Sequence, residues 1–186
     1  HRLTDAGGLS AIEFYRHNEP NPAGSIHAPI RDLPAWMMLQ LGQRKWNGKD
    51  IISKKQLDET HTPQMAQRLD ANTAAVYPET NVMSYGLGWV IHDYRGQLVW
   101  SHTGIIDGFR AHITLVPKYK LGIAVLSNRH ETRMNLALIN SLIDRALDLP
   151  PRNWNGILQA TVAKEEAVGI EQKMQRERQR EMRSPN

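Results

Sequence analysis

His102, Thr103 and Gly104 close an apolar run, Leu98-Val99-Trp100-Ser101, and offer an imidazole, a hydroxyl and a bare stretch of main chain in succession. An imidazole titrates at about 6.5, so it holds and releases a proton near neutrality. A threonine hydroxyl donates or accepts a hydrogen bond, and a glycine lets a ligand lie against the backbone where a Cβ would block it. Gly104 and Gly108 flank Ile105, Ile106 and Asp107. This is the stretch where chemistry is expected, with His102, Thr103 and Gly104 as catalytic candidates and Ile105 as a substrate contact. The plainer alternatives are a strand-end histidine without a role, a β-forming threonine and an ordinary connecting turn at the glycines. His17, His27, His61, His92, His112 and His130 show no metal-ligand spacing such as His-Glu-x-x-His, so a metal site is not expected, and no cofactor is expected either. Asp107-Gly108 reads as a turn, and Tyr85 and Trp89 as core aromatics.

The elements that position these residues follow from hydrophobic periodicity. Leu98, Trp100 and His102 share one face of a strand, and Val99, Ser101 and Thr103 the other, because strand side chains alternate with period 2. The strand is expected to end in a His-Thr-Gly corner and restart at Phe109. There Phe109, Ala111, Ile113 and Leu115 alternate with Arg110, His112 and Thr114, predicting one face for a core and one for water. Tyr85 to Ile91 reads as a further strand, followed by a turn at Asp93-Tyr94-Arg95-Gly96. With Leu121 to Leu126, beyond a Pro117–Lys120 turn, these strands form a four-stranded meander.

Upstream, Ile12-Glu13-Phe14-Tyr15 is a strand candidate near a turn at Asp5-Ala6-Gly7-Gly8, and residues 18–24 form a proline- and glycine-rich loop. A helix is predicted from about Ile30 to Leu41, with Ile30, Leu33, Met37 and Leu41 as its stripe and Pro34 distorting it. A second spans Ser53 to Thr60, with Ser53 and Gln56 at capping-box spacing. Residues 64–83 read as a long surface loop. After the meander, a helix from about Glu131 to Leu147 carries Leu136, Ile139, Ile143 and Leu147 as a stripe for one sheet face. Beyond Pro150-Pro151, residues 155–183 read as an exposed linker helix, poor in apolar residues after Ile170. The expected class is α/β of the α+β kind, an antiparallel meander with packing helices, divided into residues 1–148 and a helical tail, 149–186.

Composition narrows the function classes. The 186 residues are 40% apolar and 23% charged, enough for one domain with a core. No run of about 18 apolar residues exists, so no transmembrane helix is expected, and no leader pattern opens the chain. The net charge of +4 is spread among interspersed glutamates, so nucleic-acid binding is not expected. The chain has no cysteine, which excludes disulfides and thiolate metal sites.

Several motifs, in order, resemble the C-terminal half of the serine β-lactamase and penicillin-binding-protein superfamily, in the branch of class C β-lactamase-like esterases and peptidases. Pro22-Ala23-Gly24-Ser25 with Arg31-Asp32-Leu33 resembles that family's Pro-Ala-Gly turn and following helix. Thr62-Pro63-Gln64 resembles a helix end, and Tyr85-Gly86-Leu87-Gly88-Trp89 resembles a strand motif. His102-Thr103-Gly104 sits where the family has Lys-Thr-Gly or His-x-Gly, and Leu126-Ser127-Asn128 resembles the end of the next strand. The resemblance covers roughly residues 20 to 148 and implies a partial β-lactamase/transpeptidase-like fold.

The family's nucleophile is the serine of a Ser-x-x-Lys helix, with a Tyr-x-Asn or Ser-x-Asn group before the Pro-Ala-Gly turn. No serine here has a lysine three residues on, and no tyrosine has an asparagine two residues on. The resemblance therefore implies a truncated hydrolase missing the N-terminal half of its domain, inactive alone. Its parent would act by serine acyl transfer on small-molecule ester, D-amino-acid peptide or β-lactam substrates. It also implies that His102 lines the acyl pocket and that Gly104 with the Ile105 amide supplies half an oxyanion hole. A histidine carries less charge than lysine at neutral pH and anchors a carboxylate less strongly, which points to an esterase or peptidase. The resemblance implies a periplasmic or extracellular bacterial location. The alternatives are a non-catalytic binding module using the same cleft, and an interaction protein working through its helical tail.

Overall fold

The computed structural model describes residues 1–4, 7–13, 19, 21–106, 108–130 and 132–183. Two short ribbons lie outside the main sheet, β1 (Arg2–Leu3) with β2 (Leu9–Ser10) and β3 (Lys45–Trp46) with β4 (Lys49–Asp50). The main sheet is built from β5 (Met65–Ala66), β6 (Met83–Tyr85), β7 (Val90–Tyr94), β8 (Gln97–Ile106), β9 (Phe109–Val116) and β10 (Leu121–Ser127), antiparallel and adjacent in chain order. The helices are α1 (Leu33–Gln40), α2 (Lys54–Thr60), α3 (Ala71–Val76), α4 (Met134–Ala146) and α5 (Trp154–Arg183). This mixture of helices and one antiparallel sheet is the expected class.

Local chemistry sets the connections. Tyr94 pairs with Gln97 across Arg95 and Gly96, whose φ values of 48° and 80° match the two-residue hairpin turn that suits the right-handed twist of the strands. Ile106 pairs with Phe109, and Gly108 has φ 78°. α2 begins as its capping spacing implies: Ser53 Oγ accepts from the Gln56 amide at 3.2 Å and donates to Gln56 Oε1 at 2.9 Å.

The sheet is covered on both faces. On one, Val99, Val116 and Ile123 pack with Ile139 and Ile143 of α4 and with Trp154 and Leu158 of α5. Asp144 ties that layer together: it accepts from the Tyr94 hydroxyl and from Trp154 Nε1, each at 2.7 Å, and pairs with Arg95 at 2.8 Å. On the other face, Trp89, Ile91 and Leu115 meet Met37 and Leu41 at the end of α1.

Several expectations are corrected. The strand does not end at a His-Thr-Gly corner: β8 continues through Gly104 to Ile106, with Gly104 paired to Ala111. β9 does not keep one face for water, because His112 and Thr114, at 8% and 2% exposure, are buried on the same face as Val116, which packs against α4. The Tyr85–Ile91 run is two strands around a tight connection, in which the Gly86 amide donates to Trp89 O at 2.8 Å and Gly88 has φ 84°. Residues 64–83 are not a plain loop; they hold β5 and α3, the latter capped by Asp70 Oδ1 on the Asn72 and Thr73 amides at 2.9 and 2.8 Å. The Ile30–Leu41 helix is split into a 3-10 turn, Ile30–Asp32, and α1. Pro34 falls in the first turn of α1, where its missing amide is tolerated. The helix expected from Glu131 starts at Met134, and Glu131 lies outside the described residues. In the Ile12–Tyr15 candidate, Ile12 and Glu13 are not strand, and Phe14 and Tyr15 lie outside the described residues, as does Asp107.

Candidate functional site

β8 carries the candidate residues on its final stretch. β7 stops pairing with β8 at Val90↔Ser101, whereas β9 accompanies β8 to its end. Among the described residues, therefore, no strand pairs with the other edge of His102–Ile106. An unpaired edge presents backbone donors and acceptors to an extended ligand, much as a sheet accepts a further strand. His102, Thr103, Gly104 and Ile105 are all exposed there. A Cβ added at Gly104 would come no closer than 3.7 Å to Ala111 Cβ, so the glycine leaves the strand surface low without being required by its neighbours.

His102 has a partner that reads from the sequence as a core aromatic. Tyr85, the last residue of β6, is half-buried, and its hydroxyl lies 3.1 Å from His102 Nε2. The two groups share one proton position, the donor depending on the imidazole tautomer. Their rings are 6.3 Å apart at 56°, an open approach that leaves the imidazole reachable from solvent. Trp89, by contrast, is a core residue at 5% exposure. Ser101 cannot be activated by His102, because consecutive strand residues project to opposite faces.

The surroundings hold other histidines uncharged. His112, paired with Thr103, is pushed down to about 4, chiefly by burial and then by the positive charge of Arg110 and the proximity of His92 and His102. His92 is lowered by burial, against the opposing effect of Asp93. Among the described residues no group of three or more histidine, cysteine, aspartate or glutamate side chains is arranged to hold a metal ion. No helix of the described residues is long and apolar enough to cross a membrane.

The structure thus brings His102, Thr103, Gly104 and Ile105 together on one open edge and adds Tyr85, which sequence reasoning missed. The signal available for Tyr85 was its position before Gly86, where a strand ends and its side chain is freed from the sheet interior.

Comparison with known proteins bears on what this arrangement belongs to. Residues 2–147 match the family described as Beta-lactamase. A curated relative from Aspergillus campestris, an unguisins hydrolase, is 39% identical over 156 residues, covering 80% of this chain and 27% of the relative. Another unguisins hydrolase, from Aspergillus violaceofuscus, is 37% identical over 75 residues, covering 39% of this chain and 13% of the relative. The chain spans about a quarter or less of the length of these relatives. With the family's pattern running from the first ribbon to the end of α4 and its sheet in place, the chain belongs to the beta-lactamase family.

Proposed function

We propose that this chain forms the sheet-side wall of a serine acyl-transfer site that hydrolyses a small ester, D-amino-acid peptide or β-lactam. The observation that carries the proposal is the Tyr85–His102 pair, at 3.1 Å beside the unpaired edge of β8. In this reading His102 holds the acyl substrate by hydrogen bonding, with its proton position set by the Tyr85 hydroxyl. Thr103 orients the substrate through its own hydroxyl. The Ile105 amide beside Gly104 faces the carbonyl oxygen that becomes negative as the tetrahedral intermediate forms, which is where a fixed donor lowers the barrier. The curated relatives' description as hydrolases supports the reaction class.

The nucleophile belongs to another part of the same polypeptide. The 186 residues contain no serine with a lysine three positions on, and Leu87, two residues beyond Tyr85, and Ile105, three beyond His102, are 56% and 49% exposed apolar side chains that another part of the polypeptide would cover. The chain alone is accordingly inactive.

The test is intact mass after incubation with a fluorophosphonate and, separately, a penicillin at pH 8. The isolated chain is expected to gain no adduct. The complete polypeptide is expected to gain one, at a rate lowered by about 10²-fold in His102→Ala. A stoichiometric adduct on the isolated chain, or an unchanged rate in the variant, overturns the proposal.

A further inference from the structure

We propose that His61 is a positioning residue for the Tyr85–His102 pair; the inference rests on the reading of that pair as functional. His61 follows the last residue of α2, and its ring lies flat on Trp100, with centroids 3.7 Å apart and planes 3° from parallel. It also meets the core residue Trp89 at 5.6 Å. Trp100 stands two residues before His102 on β8, hence on the same face, about 7 Å along the strand. The His61 ring therefore backs the indole beside which the His102 imidazole stands.

The same corner holds the other member of the pair through the main chain. The Leu87 amide donates to Thr60 O at 3.0 Å, and the Gln64 amide donates to Tyr85 O at 2.9 Å. Gly86, between them, lies so near that a Cβ there would be 2.6 Å from Thr60 O. The residues from Thr60 to Gln64 are thus bonded to both sides of Gly86, which fixes the backbone from which Tyr85 projects. His61 extends that grip across to β8, so one turn of chain links the strands carrying the two groups.

His61 does this as an uncharged ring. It is 9% exposed, its Nε2 is buried with no hydrogen-bond partner among the described residues, as is Trp100 Nε1, and burial pushes its titration down to about 4 against the opposing charge of Asp58. At neutral pH the stack is between two neutral aromatic systems.

The experiment uses the chain with ¹⁵N-labelled histidine at pH 7.5 and reads two signals: the His102 Nε2 resonance and the cross-relaxation between the Tyr85 and His102 rings. In His61→Ala the cross-relaxation is expected to fall at least twofold, and the Nε2 resonance to move toward its position in Tyr85→Phe. His61→Phe, which keeps a flat ring on Trp100, is expected to restore both. Should the alanine variant not fold, His61→Gln, which removes the stack but retains bulk, replaces it. Ile139→Val, a core change on the opposite face, is expected to lower stability and leave both signals in place. Unchanged signals in the variants that remove the stack, failure of phenylalanine to restore them, or equal disturbance by Ile139→Val overturns the proposal. None of these signals depends on acyl transfer, so this inference and the proposed reaction fail separately.

Discussion

Two side-chain clusters, one open and one closed, define this molecule at the scale of the residue. Tyr85 and His102 form an exposed pair whose hydrogen bond adds little to stability, since both groups reach water when it breaks. Asp144 is the opposite case. Its carboxylate is buried, and Tyr94, Trp154 and Arg95 all direct hydrogen at it. Burial, and then the same carboxylate, drive the Tyr94 hydroxyl well above the ordinary phenol range. Removing Asp144 leaves Trp154 Nε1 without its acceptor and the Arg95 guanidinium without its counter-ion, while Tyr94 keeps only Asn140 O at 3.3 Å and Arg95 only Pro150 O at 2.9 Å. Asp144→Ala is therefore expected to cost about 3–5 kcal/mol, measured as the shift in the urea midpoint at an unchanged slope.

At the scale of the element, α5 changes character along its length. Trp154 and Leu158 belong to the main core, and Glu165 accepts from Arg133 at 2.8 Å and from Asn72 at 3.2 Å. From Glu171 onward the described side chains are exposed. Two truncations separate these roles and test whether the folded body ends at residue 148, as composition implies. A chain ending at Arg152 is expected to lose its sharp thermal transition, because it surrenders both apolar side chains and one donor to Asp144. A chain ending at Glu166 is expected to melt cooperatively, within a few degrees of the 186-residue form. Circular dichroism at 222 nm reads both, and a sharp melt from the shorter chain would place α5 outside the folded body.

For the whole molecule the covered sheet sets a pH limit. His61 and His112 are held neutral in the fold with titration near 4, whereas in the unfolded chain they take up protons at about 6.5. The unfolded state then binds more protons throughout that interval. The contribution to stability is complete above pH 6.5 and is lost as pH falls toward 4, at up to about 1.4 kcal/mol per pH unit for a single histidine. Chemical denaturation at pH 7.5, 6 and 5 is expected to show midpoints that fall at each step. In His112→Gln the fall should be shallower; an equal slope would remove His112 from this account.

The sequence by itself determined the features that a few neighbouring residues decide. The meander followed from alternating apolar runs, the β7–β8 hairpin from Arg95-Gly96, the start of α2 from Ser53 and Gln56, and the stripe of α4 from Ile139 and Ile143. Family membership was legible in the order of short motifs from Pro22 to Asn128. Tertiary structure decided what depends on distant partners. His112 and Thr114 alternate like a solvent face and are buried because α4 lies over them. Tyr85 reads as a core aromatic, yet it meets His102, seventeen positions away, because β7 lies between β6 and β8 and stops one residue short of the imidazole. His61 has no local signal at all, since its contact with Trp100 exists only once α2 folds back onto the sheet. Local spacing specifies turns, caps and faces through interactions within a few residues; which faces meet is settled by register and packing, which sum contributions from the whole chain.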